Sequence, residues 1–296
     1  MKARVFLLGA GYSARAFARR QRGQAEAIFG TTRSPEKFGA LGKGGIEPLI
    51  FDGGAIGPEM AEAMKRTTHL VLSAAPEAGA GGERHDPFLP HVEGRLRQAM
   101  PALRWIGYLS TVGVYGDHGG AWVDEESECR PVSRRSVERL EAERAWQAAA
   151  EREGLTLAVL RLAGIYGPGR NALANLAAGT ARRIVKPGQI FNRIHVGDIA
   201  GILSLLAGKQ MGGVFNLADG EPSPAEDLVA FAAKLMSVEP PPEISFDRAE
   251  ITPMARSFYG ENKRVSNARI REAGYVFDWP DYRTALTRMW TEDDWR

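Results

Sequence analysis

The run VFLLGAGYSARAF, residues 5–17, decides the fold, because four apolar residues pass through a Gly9-x-Gly11-x-x-Ala14 turn into a helix-forming stretch. Gly9 permits the tight turn, Gly11 lets the backbone approach a diphosphate, and Ala14 is small enough for the helix to pack on a sheet. The helix N-terminus offers unpaired N–H groups, so negative charge is stabilised there. Gly9, Gly11, Tyr12, Ser13 and Ala14 are therefore expected to hold the diphosphate of a dinucleotide. A glycine pattern alone is weak; its position at the first strand of a strand–helix series gives it weight.

That series runs outward from the turn. The β-rich runs EAIFGTT, IEPLIF, HLVLSAA, RWIGYLS and LTLAVLRL alternate with the helical stretches YSARAFARRQ, PEMAEAMKR, PFLPHVEGRLRQAM and the arginine-rich SRRSVERLEAER at 133–144. Six strands separated by helices predict an α/β fold with a doubly wound parallel sheet, because parallel neighbours need crossovers that cover the faces. The near-continuous apolar run HLVLSAA suits a strand buried on both sides. After LRLAGIYGPGRN the alternation breaks down, and VEPPPEI at 238–244 reads as a loop. The expected organisation is a dinucleotide-binding domain over 1–165 and a smaller C-terminal substrate lobe over 166–296. Some later segments are allowed to return to the first domain, and the lobe is expected over the C-terminal edges of the strands.

The chain has 296 residues, 25% of them charged, and a formal net charge of +2. No single-sign field marks a nucleic-acid or membrane-surface binder, so a small-molecule partner is expected. Cys129 is the only cysteine, which excludes an intramolecular disulfide and reads as an inert loop thiol. The apolar run at the N-terminus is too short for a secretory or membrane segment, and a soluble cytoplasmic protein is expected. His85, His91 and the carboxylates lack zinc-ligand spacing, so no metal is expected.

The coenzyme preference is read at the end of the second strand, where Thr31, Thr32 and Arg33 stand and no acid is present to bind a ribose 2′-hydroxyl. A guanidinium forks onto a 2′-phosphate, which favours NADP over NAD; the alternative for Arg33 is a solvated loop charge. Asp52 ends the third strand, where it either accepts from an adenine amino group or caps the next helix. Ser73, Ala74, Ala75 and Pro76 end the fourth and are expected to wall the sugar.

The stretches LLGAGYSAR, YLSTVGVYGD, LRLAGIYGPGRN, NRIHVGDIAGIL, VFNLADGEPSP and KRVSNARIREAGY together resemble the extended short-chain dehydrogenase/reductase superfamily, the group containing nucleotide-sugar epimerases and dehydratases. They occur in family order and cover nearly the whole chain. The resemblance implies a Rossmann-like domain binding NAD(P) and a C-terminal lobe that shapes the substrate pocket. It also implies a catalytic Tyr-x-x-x-Lys pair, but aligning RLEAE (139–143) with the family ending puts Arg139 at the lysine and Arg135 at the tyrosine. Arg139 keeps donors for a ribose, whereas Arg135 is no general acid or base. The departure resembles the atypical subgroup of the superfamily. On a plain surface helix, Arg134 would pair with Glu138 and Arg139 with Glu143; Arg135 and Arg139 are like charges on one face, suited to an anion between them.

Ser110 and Thr111 match the family hydroxyl that meets the substrate oxygen, unless they bond local backbone. Val112 and Gly113 stand where family dehydratases carry an Asp-Glu pair, which argues against dehydration. Tyr115 and Tyr166 either face the pocket or pack as aromatics. Tyr166, Asn171, His195 and Asp86 are the expected substrate-pocket residues. For His195, with Asp198, the alternative is a core contact, and for Asp86, which with His91 lies near the family's active-site Asn, it is a helix cap. The expected activity is reduction, oxidation or epimerisation at a hydroxyl-bearing carbon of a sugar-like or small carbonyl substrate, with Ser110, Thr111, Tyr115 and Arg139 as catalytic candidates. The alternative is a non-catalytic NADP-binding sensor. The resemblance implies a homodimer as one arrangement, through the fourth and fifth helices, although the charged arginine helix is poorly suited to that interface.

Overall fold

The computed structural model describes residues 2–78 and 84–296. Seven strands form the main sheet: β1 (Arg4–Leu8), β2 (Ala27–Thr32), β3 (Glu47–Ile50), β4 (His69–Leu72), β5 (Trp105–Thr111), β6 (Thr156–Leu162) and β7 (Gly213–Leu217), in the order β7-β6-β5-β4-β1-β2-β3. The pairs β1–β2, β1–β4, β2–β3 and β4–β5 are parallel, so each link between them needs a crossover. Helices α1 (Tyr12–Gln21), α2 (Phe38–Lys43), α3 (Pro58–Arg66), α4 (Leu89–Val92), α5 (Leu96–Ala99) and α6 (Arg134–Arg152) lie in these links and in the one that follows β5. This is the doubly wound α/β architecture that the strand–helix alternation predicts. Winding reverses at β1, which has β2 on one side and β4 on the other. Open α/β sheets bind ligands at such a switch point, beyond the carboxyl ends of the strands.

Two elements differ from the sequence reading. The stretch PFLPHVEGRLRQAM is not one helix but two single turns, α4 and α5, because the chain leaves helical backbone at Glu93 (ψ 129°) and Gly94 (φ +73°). Glu153 then caps the second turn, its carboxylate accepting from Leu96 N at 2.8 Å and Arg97 N at 2.6 Å. The seventh strand, GVFNL, lies in the stretch where the alternation seemed to stop.

By contact density the chain forms two compact units, each built from three separated stretches. One comprises Met1–Thr111, Val137–Arg161 and Ile199–Phe215, the other Val112–Ser136, Leu162–Asp198 and Asn216–Arg296. In the first, Phe6, Leu8, Leu70, Leu72 and Ile106 of the sheet pack with Met60, Met64 and Trp146 of the helices, and Ala14, Phe17 and Ala18 of α1 are fully buried. Further helices are α7 (Ala172–Ala177), α8 (Val196–Lys209), α9 (Ala225–Met236), α10 (Pro253–Phe258), α11 (Ala268–Glu272) and α12 (Tyr282–Thr291). The second unit packs α7, α9 and α12 around Leu173, Ala232, Tyr282, Leu286 and Met289. Among the described residues no helix is long and apolar enough to cross a membrane, and no group of three or more His, Cys, Asp or Glu could hold a metal ion; the His85 side chain lies outside the described residues.

Candidate functional site

The turn after β1 has the geometry its glycines suggest. Gly9 has φ +86°, and a Cβ there would stand 3.0 Å from Ala74 N, so any side chain meets both strain and backbone. The end of β2 braces the turn: Gly9 N donates to Thr31 Oγ1 at 2.7 Å and Ala10 N to Thr31 O at 2.8 Å. Gly11 is the N-cap of α1, and a Cβ there would meet no protein atom within 4 Å. That direction is open to a ligand, next to helix N–H groups that favour an anion.

A cavity of about 280 Å³ opens on this turn. Of the expected coenzyme residues, Gly9, Gly11, Thr32, Arg33, Asp52, Ser73, Ala74 and Ala75 line it. Tyr12, Ser13, Ala14 and Pro76 are not among its lining residues: Ser13, Ala14 and Pro76 are buried. Thr31, at the same strand end, lines it too, as do Lys37, Phe51, Gly53 and Pro87, which were not singled out from the sequence. Lys37 ends a short 3-10 turn, Pro35–Lys37, and gives the cavity lining a second cation in addition to Arg33. Asp52 does not cap α3, whose N-cap is Gly57; its Oδ1 instead accepts from Gly54 N at 2.9 Å, a local turn that holds the carboxylate at the cavity wall.

Beyond the ends of β4 and β5, α6 presents Arg139. Its Nη1 donates to Leu109 O at 3.1 Å, to the Tyr108 hydroxyl at 3.3 Å and to Ala74 O at 3.4 Å. Nε and Nη2 make no hydrogen bond among the described residues, so two directed donors remain beside Ala74, a wall of the cavity. Burial pushes the Tyr108 phenol up to about 12 against the opposing charge of Arg139, so it holds its proton.

Glu143, one helical turn further, does not pair with Arg139 as the i,i+4 spacing suggests. Arg161 of β6 takes its carboxylate, with Nη2 at 2.9 Å from Oε2, and both side chains are buried. The Ser110 hydroxyl donates to the same carboxylate. Ser110 therefore bonds a side chain across the layer, neither local backbone nor open space. Thr111, the next residue, is partly exposed.

The model of the NAD dependent epimerase/dehydratase family matches residues 7–218. The chain belongs to that family. It is 42% identical to a functionally unknown conserved protein from Silicibacter pomeroyi, with a TM-score of 0.88 over 99% of each chain. It is also 30% identical to Protein YeeZ of Escherichia coli (strain K12) over 64% of this chain, a match that spans 63% of that relative's length. The dTDP-glucose 4,6-dehydratase of Bacillus anthracis strain Ames, solved in complex with NAD, shares the fold with a TM-score of 0.76 at 15% identity, over 99% of this chain and 97% of that one. For this family member, the open face at Gly11 and the unblocked start of α1 fit the diphosphate of a nicotinamide dinucleotide.

The remaining candidates sit in environments the sequence could not distinguish. The Arg135 guanidinium lies over the Phe258 ring at 5.1 Å, while that of Arg139 donates to the Leu109 and Ala74 carbonyls. Tyr115 is fully buried, and its hydroxyl donates to Asn216 Oδ1 at 2.7 Å, as a packing aromatic with a satisfied phenol would. Tyr166 is buried with its hydroxyl toward Asp219 Oδ2 at 3.4 Å, and burial and that neighbouring carboxyl raise its pKa far above the ordinary phenol.

His195 lies in the interior, 3.9 Å from the Trp279 ring centroid. Its Nδ1 accepts from Gly197 N at 3.1 Å, so the neutral ring carries its proton on Nε2, which is buried and makes no hydrogen bond among the described residues. Burial holds its pKa down at about 3, so it is neutral at working pH. Asn171 caps α7, its Oδ1 accepting from Ala174 N at 2.9 Å, and its Nδ2 holds Gly167 O and Trp295 O. Asp86 Oδ1 accepts from Phe88 N and Leu89 N in the turn that leads into α4, whose N-cap is Phe88, and its Oδ2 accepts from Trp146 Nε1. Tyr115, Tyr166, His195, Asn171 and Asp86 thus all have structural partners.

Proposed function

We propose that this family member is an NADP(H)-dependent oxidoreductase or epimerase acting at a hydroxyl-bearing carbon of a sugar-like or small carbonyl substrate. The observation that carries the reading is a glycine turn whose open face lies in one cavity with two cations, Arg33 and Lys37, and with no carboxylate closing β2. A 2′-phosphate would meet the Arg33 fork there, whereas an unphosphorylated ribose finds no carboxylate at the end of β2.

When bound, the coenzyme supplies hydride exchange. The chain's own part is then positional. The α1 amides beside Gly11 hold the diphosphate, Arg33 and Lys37 hold the 2′-phosphate, and the spare Nε and Nη2 of Arg139 take a ribose hydroxyl. Thr111, partly exposed at the end of β5, is placed to hydrogen-bond the substrate oxygen. A second reading, a non-catalytic NADP(H) sensor, is favoured by one observation: the positions that the superfamily resemblance assigns to Tyr and Lys hold Arg135 and Arg139, and a guanidinium is no substitute for the tyrosine's acid–base role.

Nicotinamide fluorescence during titration tests the coenzyme. NADPH is expected to bind more tightly than NADH, and Arg33→Glu to abolish the difference; equal affinities in the unaltered protein would overturn the NADP preference. Turnover on a carbonyl panel that Thr111→Ala abolishes while NADPH affinity is kept supports the enzyme. Binding without turnover on any panel member supports the sensor.

A further inference from the structure

A second cavity, of about 190 Å³, lies between α3, α4 and α5, with Ile56, Met64 and Ala99 supplying apolar wall and Lys65, Arg95 and His91 supplying polar wall. No carboxylate is among its lining residues. Lys65 shares its charge with Glu62 at 2.5 Å, but among the described residues Arg95 has no acidic partner and its Nη1 makes no hydrogen bond; its Nε and Nη2 both go to His91 O, at 3.1 and 2.9 Å. An apolar wall with one uncompensated guanidinium at its edge complements a molecule with a hydrocarbon body and one negative end.

His91 belongs to both cavities' surroundings. Its Nε2 lies 3.0 Å from Gly53 O, which can only accept, so Nε2 carries the proton. Its ring meets Phe51 edge-on at 5.7 Å, and Phe51 and Gly53 both line the coenzyme cavity. A ligand that draws on Arg95 or the imidazole therefore acts on the wall of the first cavity through one side chain.

We propose that the α3–α5 cavity binds a small amphipathic carboxylate, and that His91 couples its occupancy to coenzyme affinity. The carboxylate meets Arg95 Nη1 and Lys65, and the hydrocarbon lies against Met64, Ile56 and Ala99. Only the coupling rests on the coenzyme reading above; binding at the cavity does not. The coupling is reciprocal by thermodynamic necessity.

Octanoate is the probe, with octanol and acetate as controls for its two halves. Calorimetry on the full chain is expected to show one octanoate site, with both controls binding at least about tenfold more weakly, the loss expected when a charge-assisted contact or the apolar burial is missing. Arg95→Ala should weaken octanoate about tenfold, and Ala99→Phe, which fills the cavity, should abolish it, with far-UV circular dichroism and NADPH affinity in the absence of octanoate unchanged. Saturating octanoate should shift the NADPH dissociation constant severalfold, and NADPH should shift that of octanoate by the same factor. Octanol binding as well as octanoate, or octanoate binding undiminished in both variants, overturns the site. Octanoate binding with no shift in NADPH affinity overturns the coupling. Dimer in sedimentation that Arg95→Ala dissociates, with no octanoate uptake, assigns the groove to a second copy and likewise overturns the ligand. NADPH titrated alone reads the coenzyme proposal separately.

Discussion

Gly9 and Gly11 stand two residues apart and are required for different reasons, which two substitutions separate. Gly9→Ala places a Cβ 3.0 Å from Ala74 N at φ +86°, so it should cost about 1–3 kcal/mol of folding stability, read as a lower denaturation midpoint. Gly11→Ala places its Cβ in open space, so the melting temperature should hold while NADPH affinity falls about tenfold or more, as expected where the ligand's own atoms must approach the backbone. The buried Glu143–Arg161 pair gives a third test at this scale. Glu143→Gln leaves a buried guanidinium uncompensated and should cost about 3–5 kcal/mol in urea denaturation. A cost near zero would remove the pair from the account of how Ser110 is held. Gly9 was legible because its positive φ is a property of the turn itself. The partner of Glu143 was not: helical spacing offers Arg139, four residues back, whereas the residue that binds it, Arg161, reaches the same point only after β6 is laid in the sheet.

Elements were legible where periodicity and length agree, as in α1 and the six strands from β1 to β6. They were not where a tertiary partner supplies what local sequence lacks. The two turns α4 and α5 exist because Glu93 and Gly94 leave the helix and Glu153, far along the chain, caps the restart. Glu153→Ala should therefore cost about 1 kcal/mol, as a lost cap does, and should speed amide exchange at Leu96 and Arg97 ahead of the rest of α5. Unchanged exchange there would mean that packing alone holds the turn. The strand β7 escaped notice because its run is short and the segments around it lack the alternation that marks the first six. The same limit explains the expected substrate residues. Asn171 and Asp86 are short polar residues at element starts, and such residues cap helices in their own right. His195 and Tyr166 sit in strand segments whose burial appears only once Gly164–Tyr166 pairs with Arg193–His195.

At the scale of the whole molecule, two buried carboxyls make stability depend on pH in a direction opposite to the usual acid unfolding. Burial raises Asp219 from 3.8 to about 7, against the opposing charge of Arg193 and a hydrogen bond from Glu221 N. Burial raises Asp198 from 3.8 to about 6, although the Tyr275 hydroxyl and two backbone N–H groups donate to it. In the unfolded chain both protons leave near the ordinary value; in the fold they are kept to higher pH. Their contribution is therefore fully present below about pH 4 and is lost as pH rises through about 6 and 7. Asp219→Asn should flatten the upper part of that fall, measured as chemical denaturation from pH 5 to 8, and a slope that the substitution leaves unchanged would contradict the assignment. The coenzyme cavity contains neither group, so this dependence belongs to the fold. The central claim concerns that cavity, and isothermal calorimetry of the unaltered chain with NADPH and NADH tests it most directly. Saturable uptake of NADPH, tighter than that of NADH, is the predicted result; folded protein that takes up neither coenzyme would contradict the account.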